Sequence, residues 1–262
     1  MLPNSVAAGK GSFMRSSLLI SIFLRSLLIQ ASFNFWRMQN LGFTYALIPI
    51  GRLFGKDQKR MQILLSRHMQ LFNSHPYMTG PILGSVIHIE EENLKDEKTV
   101  TNEDALTLKS TLSGPYAAIG DSFFWGAYRP MSALTGVFFA VQGYLTAPLV
   151  AFFLYNTVHL WIRWKGFAEG YRLGRQGIDF VRRLDLPKKS GRIRWVSLSV
   201  LSLLSVLFSS GETVPFMLPW GGIVMKIGVL LCILLCFLGI RKGISPMHIL
   251  YGMVIIIFLS LQ

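Results

Sequence analysis

Charge is scarce in this chain, and acidic charge is scarcest. Charged residues make up 15% of 262 positions, with 13 Asp and Glu against 26 Lys and Arg. A soluble domain carries about 25% charged residues. That deficit, with 52% hydrophobic residues and a mean hydropathy of +0.46, points to lipid as part of the solvent. Cysteine is limited to Cys232 and Cys236, four apart in an apolar run, which excludes a disulfide framework or a zinc site. Catalytic motifs are also missing: there is no P-loop, no GxGxxG after a strand, no GxSxG elbow and no HExxH. The histidines His68, His75, His88, His159 and His248 show no metal-ligand spacing. No catalytic residue, metal or cofactor is therefore expected, nor catalysis by this chain alone. The net charge of +13 comes without a nucleic-acid-reading module. Nucleic acid is thus not an expected partner, and the basic balance fits the anionic cytoplasmic face of a membrane.

What is present is an uneven distribution of apolar and charged segments. The expected fold class is an all-α integral membrane protein, because a lipid-facing backbone must satisfy its own hydrogen bonds and barrel alternation is lacking. One domain, 1–262, is expected: a basic amphipathic cytoplasmic-side region over 1–110 and a membrane region over 111–262. Lys10 and Arg15 precede an apolar run that Arg25 interrupts, which reads as an uncleaved interfacial helix rather than a signal peptide. Arg25–Asn40 and Lys59–Asn73 read as amphipathic helices, the first followed by a break at Pro49 and Gly51, the second ended by His75-Pro76. Residues 90–104 hold Glu90, Glu91, Glu92, Asp96, Glu97, Glu103 and Asp104. This acidic loop reads as a solvated segment.

The stretch 131–162 exceeds the roughly 20 residues that span a bilayer. Gly143 and Pro148 inside it predict a broken helix or a re-entrant pair. About three C-terminal transmembrane spans are expected, at Trp195–Ser210, Ile223–Ile240 and Ile244–Leu261. Residues 163–194 carry ten Lys and Arg, and Arg241 and Lys242 sit two spans later. By the positive-inside rule both basic loops are cytoplasmic, which puts Gly211–Gly222 and the C-terminus outside.

The segment Ser113–Pro130, SGPYAAIGDSFFWGAYRP, gathers helix-breaking residues around Asp121 and Arg129. Such a segment reads as a discontinuous membrane element that exposes polar groups to a substrate. Asp121, Ser122, Trp125 and Arg129 are its candidates for a substrate path or a subunit contact. Two alternatives stay open: Asp121 with Ser122 capping a helix after Gly120, and an Asp121–Arg129 ion pair. That pair needs a bend, because eight residues rise about 12 Å. Asn73 and His75 offer groups that suit sugar hydroxyls, though a helix cap and a turn histidine are the favoured reading. Gln39 and Asn40 form a further polar cluster with Asn34 and Trp36. Asn156 and His159 lie in an apolar run, where hydrogen bonding between helices is favoured.

GPYAAIGDSFFWGAYRP resembles the signature segment of the IID subunits of mannose/fructose/sorbose phosphotransferase systems. Three more blocks are similar to that family in the same order: QASFNFWRMQNLGFTYALIP at 30–49, HMQLFNSHPYMTGPILG at 68–84 and YNTVHLWIRWKGFAEGYRLG at 155–174. The resemblance covers about 20–260 and is least familiar over 175–215. It implies a permease subunit that forms, with a IIC subunit, the path for a hexose-type sugar. The soluble IIB subunit phosphorylates that sugar during uptake, with phosphate passed from phosphoenolpyruvate through IIA. A trimer of IIC–IID pairs in the bacterial cytoplasmic membrane, multi-pass and in contact with lipid, is the implied assembly. The alternative is a non-transporting scaffold or sensor derived from the same family.

Overall fold

The computed structural model describes residues 14–54, 57–95 and 103–210, with scattered positions between 231 and 252. It divides into two units, 1–200 and 201–262. The described residues form helices joined by turns and short loops, with two isolated bridges.

Helix α1, Ser16–Ser26, buries Leu18, Ile22 and Ser26 at a spacing of four and leaves Ile20 and Leu24 exposed. Arg163, 137 residues away, donates to the Ser26 carbonyl oxygen at the end of this helix. A cation there satisfies an orphan carbonyl and complements the helix dipole.

The helix expected over 25–40 does not form. Residues 27–32 are turns, and Asn34 and Met38 pair through two backbone hydrogen bonds of 3.0 and 2.9 Å. Asn34 is the cause, because its side chain competes for backbone groups. Its Oδ1 accepts from the Arg37 N–H at 2.8 Å, and its Nδ2 reaches the Met38 carbonyl and Asn40 Oδ1.

Helix α2, Asn40–Leu47, gives way to a 3-10 segment, Ile48–Phe54. Pro49 has no N–H to return to Tyr45, so the Ile48 N–H takes that carbonyl instead. Helix α3, Gln58–His68, is capped by Asp57, which accepts from the Arg60 N–H at 3.0 Å. It ends five residues before the expected Asn73. Asn40 Nδ2 takes the Met69 carbonyl at 2.8 Å, and Phe72 pairs with the backbone around Met38.

Helix α4, Thr79–Lys95, is the centre of the first unit, with Ile82, Leu83, Val86 and Ile87 fully buried. It packs along α7, Ala147–Leu173. Gly80 and Gly84 on α4 face the carbonyls of Arg163 and Phe167, while Gly166 and Gly170 on α7 face Pro81. A Cβ at any of the four would collide with its neighbour. This is small-residue packing at a spacing of four, which brings two helix backbones together.

Helix α5, Asp104–Gly120, runs without a break into a π-helix, Asp121–Tyr128, and on into α6, Arg129–Val141. Gly120 is therefore no breakpoint, and Asp121 caps no helix. The residue is small because His75 packs against it and leaves no room for a Cβ. The break expected in 131–162 falls between α6 and α7. Gly143 turns there with φ +84, and Pro148 sits in the first turn of α7. The two helices pack as a hairpin, with Gly136 close against Ala151.

Helix α8, Ile178–Leu184, and helix α9, Leu186–Ser210, complete the described chain. The expected span 195–210 lies in α9. No helix among the described residues is long and apolar enough to cross a membrane. The spans expected at 223–240 and 244–261 lie almost wholly outside the described residues, as does Gly211–Gly222.

The acidic stretch departs from the solvated reading. Glu90 and Glu91 are buried. Glu90 accepts from Arg67 and from His68 Nε2 at 2.9 Å, and Glu91 accepts from the Tyr171 hydroxyl at 2.5 Å. Partners far away in sequence make burial of these carboxylates tolerable.

Candidate functional site

A cavity of about 490 Å³ opens in the first unit. Gln30, Phe33, Gln39, Asn73, Ser74, His75, Ala117, Asp121 and Trp125 line it. Three segments supply these groups: the turns before α2, the loop from Asn73 to His75, and the helix face that carries Ala117, Asp121 and Trp125 at a spacing of four.

Gln39 holds the first two segments together. Its Nε2 donates to the Ser74 carbonyl at 2.8 Å, and its Oε1 accepts from the Ser74 N–H at 3.1 Å. The side chain thus pairs with Ser74 as a neighbouring peptide would.

His75 fixes the third segment. Its ring stacks on Phe124 with centroids 5.1 Å apart and lies 4.8 Å from the Trp125 ring. Its Nδ1 accepts from the Tyr77 N–H at 3.2 Å, which leaves the proton on Nε2. Burial, with the charges of Arg163 and His159 nearby, pulls this imidazole down to about 4. The ring is neutral at physiological pH, and among the described residues Nε2 has no hydrogen-bond partner.

Asp121 and Trp125 lie within one turn of the π-helix. π-Turns inside α-helices are frequent at functional sites. Tyr128 at its end donates to the Leu154 carbonyl at 2.8 Å, which ties the segment to α7. No ion pair joins Asp121 to Arg129 among the described residues, and Arg129 lies exposed outside the cavity. Ser122 faces the other way and accepts from Arg194 Nη2 at 3.1 Å.

Two other candidates also fall outside the cavity. Asn40 is committed to Asn34 and Met69. Asn156 donates to the Phe152 carbonyl at 2.8 Å and contacts His159 Nε2 at 2.8 Å, so its bonds are within α7 rather than between helices. Ser74 belongs to the site-like cluster of residues 73–77 in the sequence, whereas Gln30, Phe33 and Ala117 were not singled out by sequence reasoning. Ala117 joins Asp121 and Trp125 only once the helix register is known. Among the described residues no cluster of His, Cys, Asp or Glu could hold a metal ion. The arrangement offers amide and hydroxyl groups, one carboxylate and two exposed aromatic faces. It suits a neutral polyhydroxyl ligand.

Known proteins share this sequence and fold. The sequence model of the IID component of mannose/fructose/sorbose-family phosphotransferase systems matches residues 14–261. The mannose-specific EIID component of Escherichia coli K12 is 39% identical over 163 residues, which cover 62% of this chain and 56% of that protein. The fructose permease IID component of Bacillus subtilis is 38% identical over 159 residues, covering 60% and 57%. The sorbose-specific EIID component of Klebsiella pneumoniae is 39% identical over 158 residues, covering 60% and 57%. The chain thus spans a little over half the length of the curated relatives it matches. Among solved structures, a chain in the complex of the mannose transporter ManYZ with microcin E492 aligns with a TM-score of 0.58 at 30% identity, covering 94% of this chain and 96% of that one. A further membrane protein aligns with a TM-score of 0.74 at 30% identity, covering 95% and 97%.

Proposed function

The chain belongs to the IID components of the mannose/fructose/sorbose family of phosphotransferase systems, and on that premise we propose that it is a membrane subunit of a sugar permease. With a IIC subunit it forms the translocation unit for a hexose-type sugar, which IIB phosphorylates on arrival. The subunit performs no chemistry itself. Trimers of IIC–IID pairs, served by soluble IIA and IIB, sit in the bacterial cytoplasmic membrane with the C-terminus outside. The ManYZ transporter complex, to which one chain of this fold belongs, supports the IIC–IID partnership.

One observation supports sugar contact by this subunit. The cavity brings Gln30, Asn73, Ser74, His75 and Asp121 around the exposed Trp125 and Phe33 rings. Its volume falls in the range of about 300–1,000 Å³ typical of small-ligand clefts. Aromatic faces pack against a sugar ring, and the polar groups sort its hydroxyls. A cavity so furnished favours the transport reading over a scaffold.

Uptake of radiolabelled mannose, fructose and sorbose by cells carrying the complete permease tests this. Asp121→Asn and Trp125→Ala are expected to cut uptake at least tenfold while the variants still co-purify with IIC. Wild-type uptake of all three sugars by both variants would overturn the assignment.

A further inference from the structure

The π-helix that carries Asp121 and Trp125 is held from outside by one side chain that belongs to no part of the cavity. Arg194, on α9, lays its guanidinium along a single π-turn. Its Nη2 lies 3.1 Å from Ser122 Oγ and 3.5 Å from the Ser122 carbonyl oxygen, and its Nε lies 3.4 Å from the Gly126 carbonyl oxygen. The two anchors are four residues apart and bracket Trp125. Asp121 directly precedes the first.

Gly126 leaves open space under this approach. A Cβ there would sit 3.4 Å from Arg194 Nη2 and 3.4 Å from the Asp121 carbonyl oxygen. A π-turn has poorer internal hydrogen bonding than an α-turn, and such turns persist where something outside supports them. A planar fork reaches two carbonyls and a hydroxyl from separate nitrogens, whereas an ammonium offers a single nitrogen.

We propose that Arg194 is a positioning residue for the sugar site: by clamping Ser122 and Gly126 it sets the pitch of the π-turn, and so the placement of Asp121 and Trp125 in the cavity. This rests on the reading of the cavity as a sugar site. Arg194 touches no sugar. Its effect is on how well the site is formed before sugar enters, which governs affinity more than turnover.

The test is sugar uptake in membrane vesicles of the complete permease, with mannose, fructose and sorbose as probes. Arg194→Ala is expected to raise the half-saturating concentration about three- to tenfold, the scale of one or two exposed charge-assisted hydrogen bonds. Maximal rate, the amount of assembled complex and its melting temperature stay near wild type. Arg194→Lys recovers part of the loss, because one ammonium can still reach Ser122 Oγ. Ser122→Ala gives a smaller rise, and the double variant Ser122→Ala/Arg194→Ala is no worse than Arg194→Ala alone.

Additive losses in the double variant, or an unchanged half-saturating concentration in Arg194→Ala, would overturn the proposal. So would a fall in melting temperature that accounts for the whole effect, since that marks a structural contact only. Asp121→Asn and Trp125→Ala run alongside separate the two failures. If they abolish uptake while Arg194→Ala does nothing, only the clamp is wrong. If they too transport normally, the sugar-site reading has failed.

Discussion

Gln39 and Ser74 exchange two hydrogen bonds, side-chain amide to backbone peptide, at 2.8 and 3.1 Å. Both residues are buried, and both line the cavity. The pair fastens the turns that contribute Gln30 and Phe33 to the loop that contributes Asn73 and His75. With the backbone bond from Gln39 to Phe72 and the Asn40 bond to Met69, this amide holds the shape of the cavity.

Gln39→Leu should expose that dependence. It keeps the volume but leaves a buried N–H and a buried C=O unpaired, at a cost of about 2–4 kcal/mol. The expected outcome is a clear fall in melting temperature of the detergent-solubilised permease. Gln39→Glu should do no better, because its carboxylate cannot donate to the Ser74 carbonyl. A wild-type melt for Gln39→Leu would mean that solvent or another group replaces the pair.

The α4–α7 contact is the next strict requirement. Gly84→Leu drives a side chain into the Phe167 carbonyl, and Gly166→Leu drives one into Pro81. Backbone blocks the way at Gly84 and the rigid Pro81 ring at Gly166, so both variants should fail to accumulate in membranes. Gly114→Ala serves as the control, since nothing lies within 4 Å of a Cβ there. Immunoblots of membrane fractions read the difference.

Lys109 gives the fold a pH dependence with a definite sign. Its Nζ donates to the His68 carbonyl at 2.7 Å and sits over the Phe43 ring at 4.6 Å. Burial pulls it from 10.5 down to about 7. Between those values the unfolded chain binds the extra proton and the folded chain does not, so stability rises with pH across that window. Melting temperature should increase from pH 7 to 9.5 in wild type, and Lys109→Met should lose that component. An equal slope in both would contradict it.

Some of this was legible in the sequence. Gly143 and Pro148 mark the turn of the α6–α7 hairpin because neither suits a helix interior. Asp121, Trp125, Asn73, His75 and Gln39 stand out because they cluster polar groups beside helix-breaking residues in so apolar a chain, and the fold brings them to one cavity. Other features were hidden for physical reasons. Asn34 holds residues 34–39 out of a helix through bonds to nearby backbone, which leaves no trace in hydrophobic period. Glu90 and Glu91 read as a solvated run because their partners Arg67, His68 and Tyr171 lie on other helices. Arg194 was one base among many in a basic loop. Gly80, Gly84, Gly166 and Gly170 could have been found by their spacing alone.

The measurement that bears most directly on the sugar site is thiol protection at Asn73. With Cys232 and Cys236 replaced by serine, Asn73→Cys in the complete permease is labelled with a small maleimide, with and without mannose, fructose or sorbose. The account predicts that the transported sugar slows labelling in a saturable way, at concentrations that match uptake, while a non-transported disaccharide does not. Labelling that proceeds at one rate with and without every sugar, in vesicles that still transport, would contradict it.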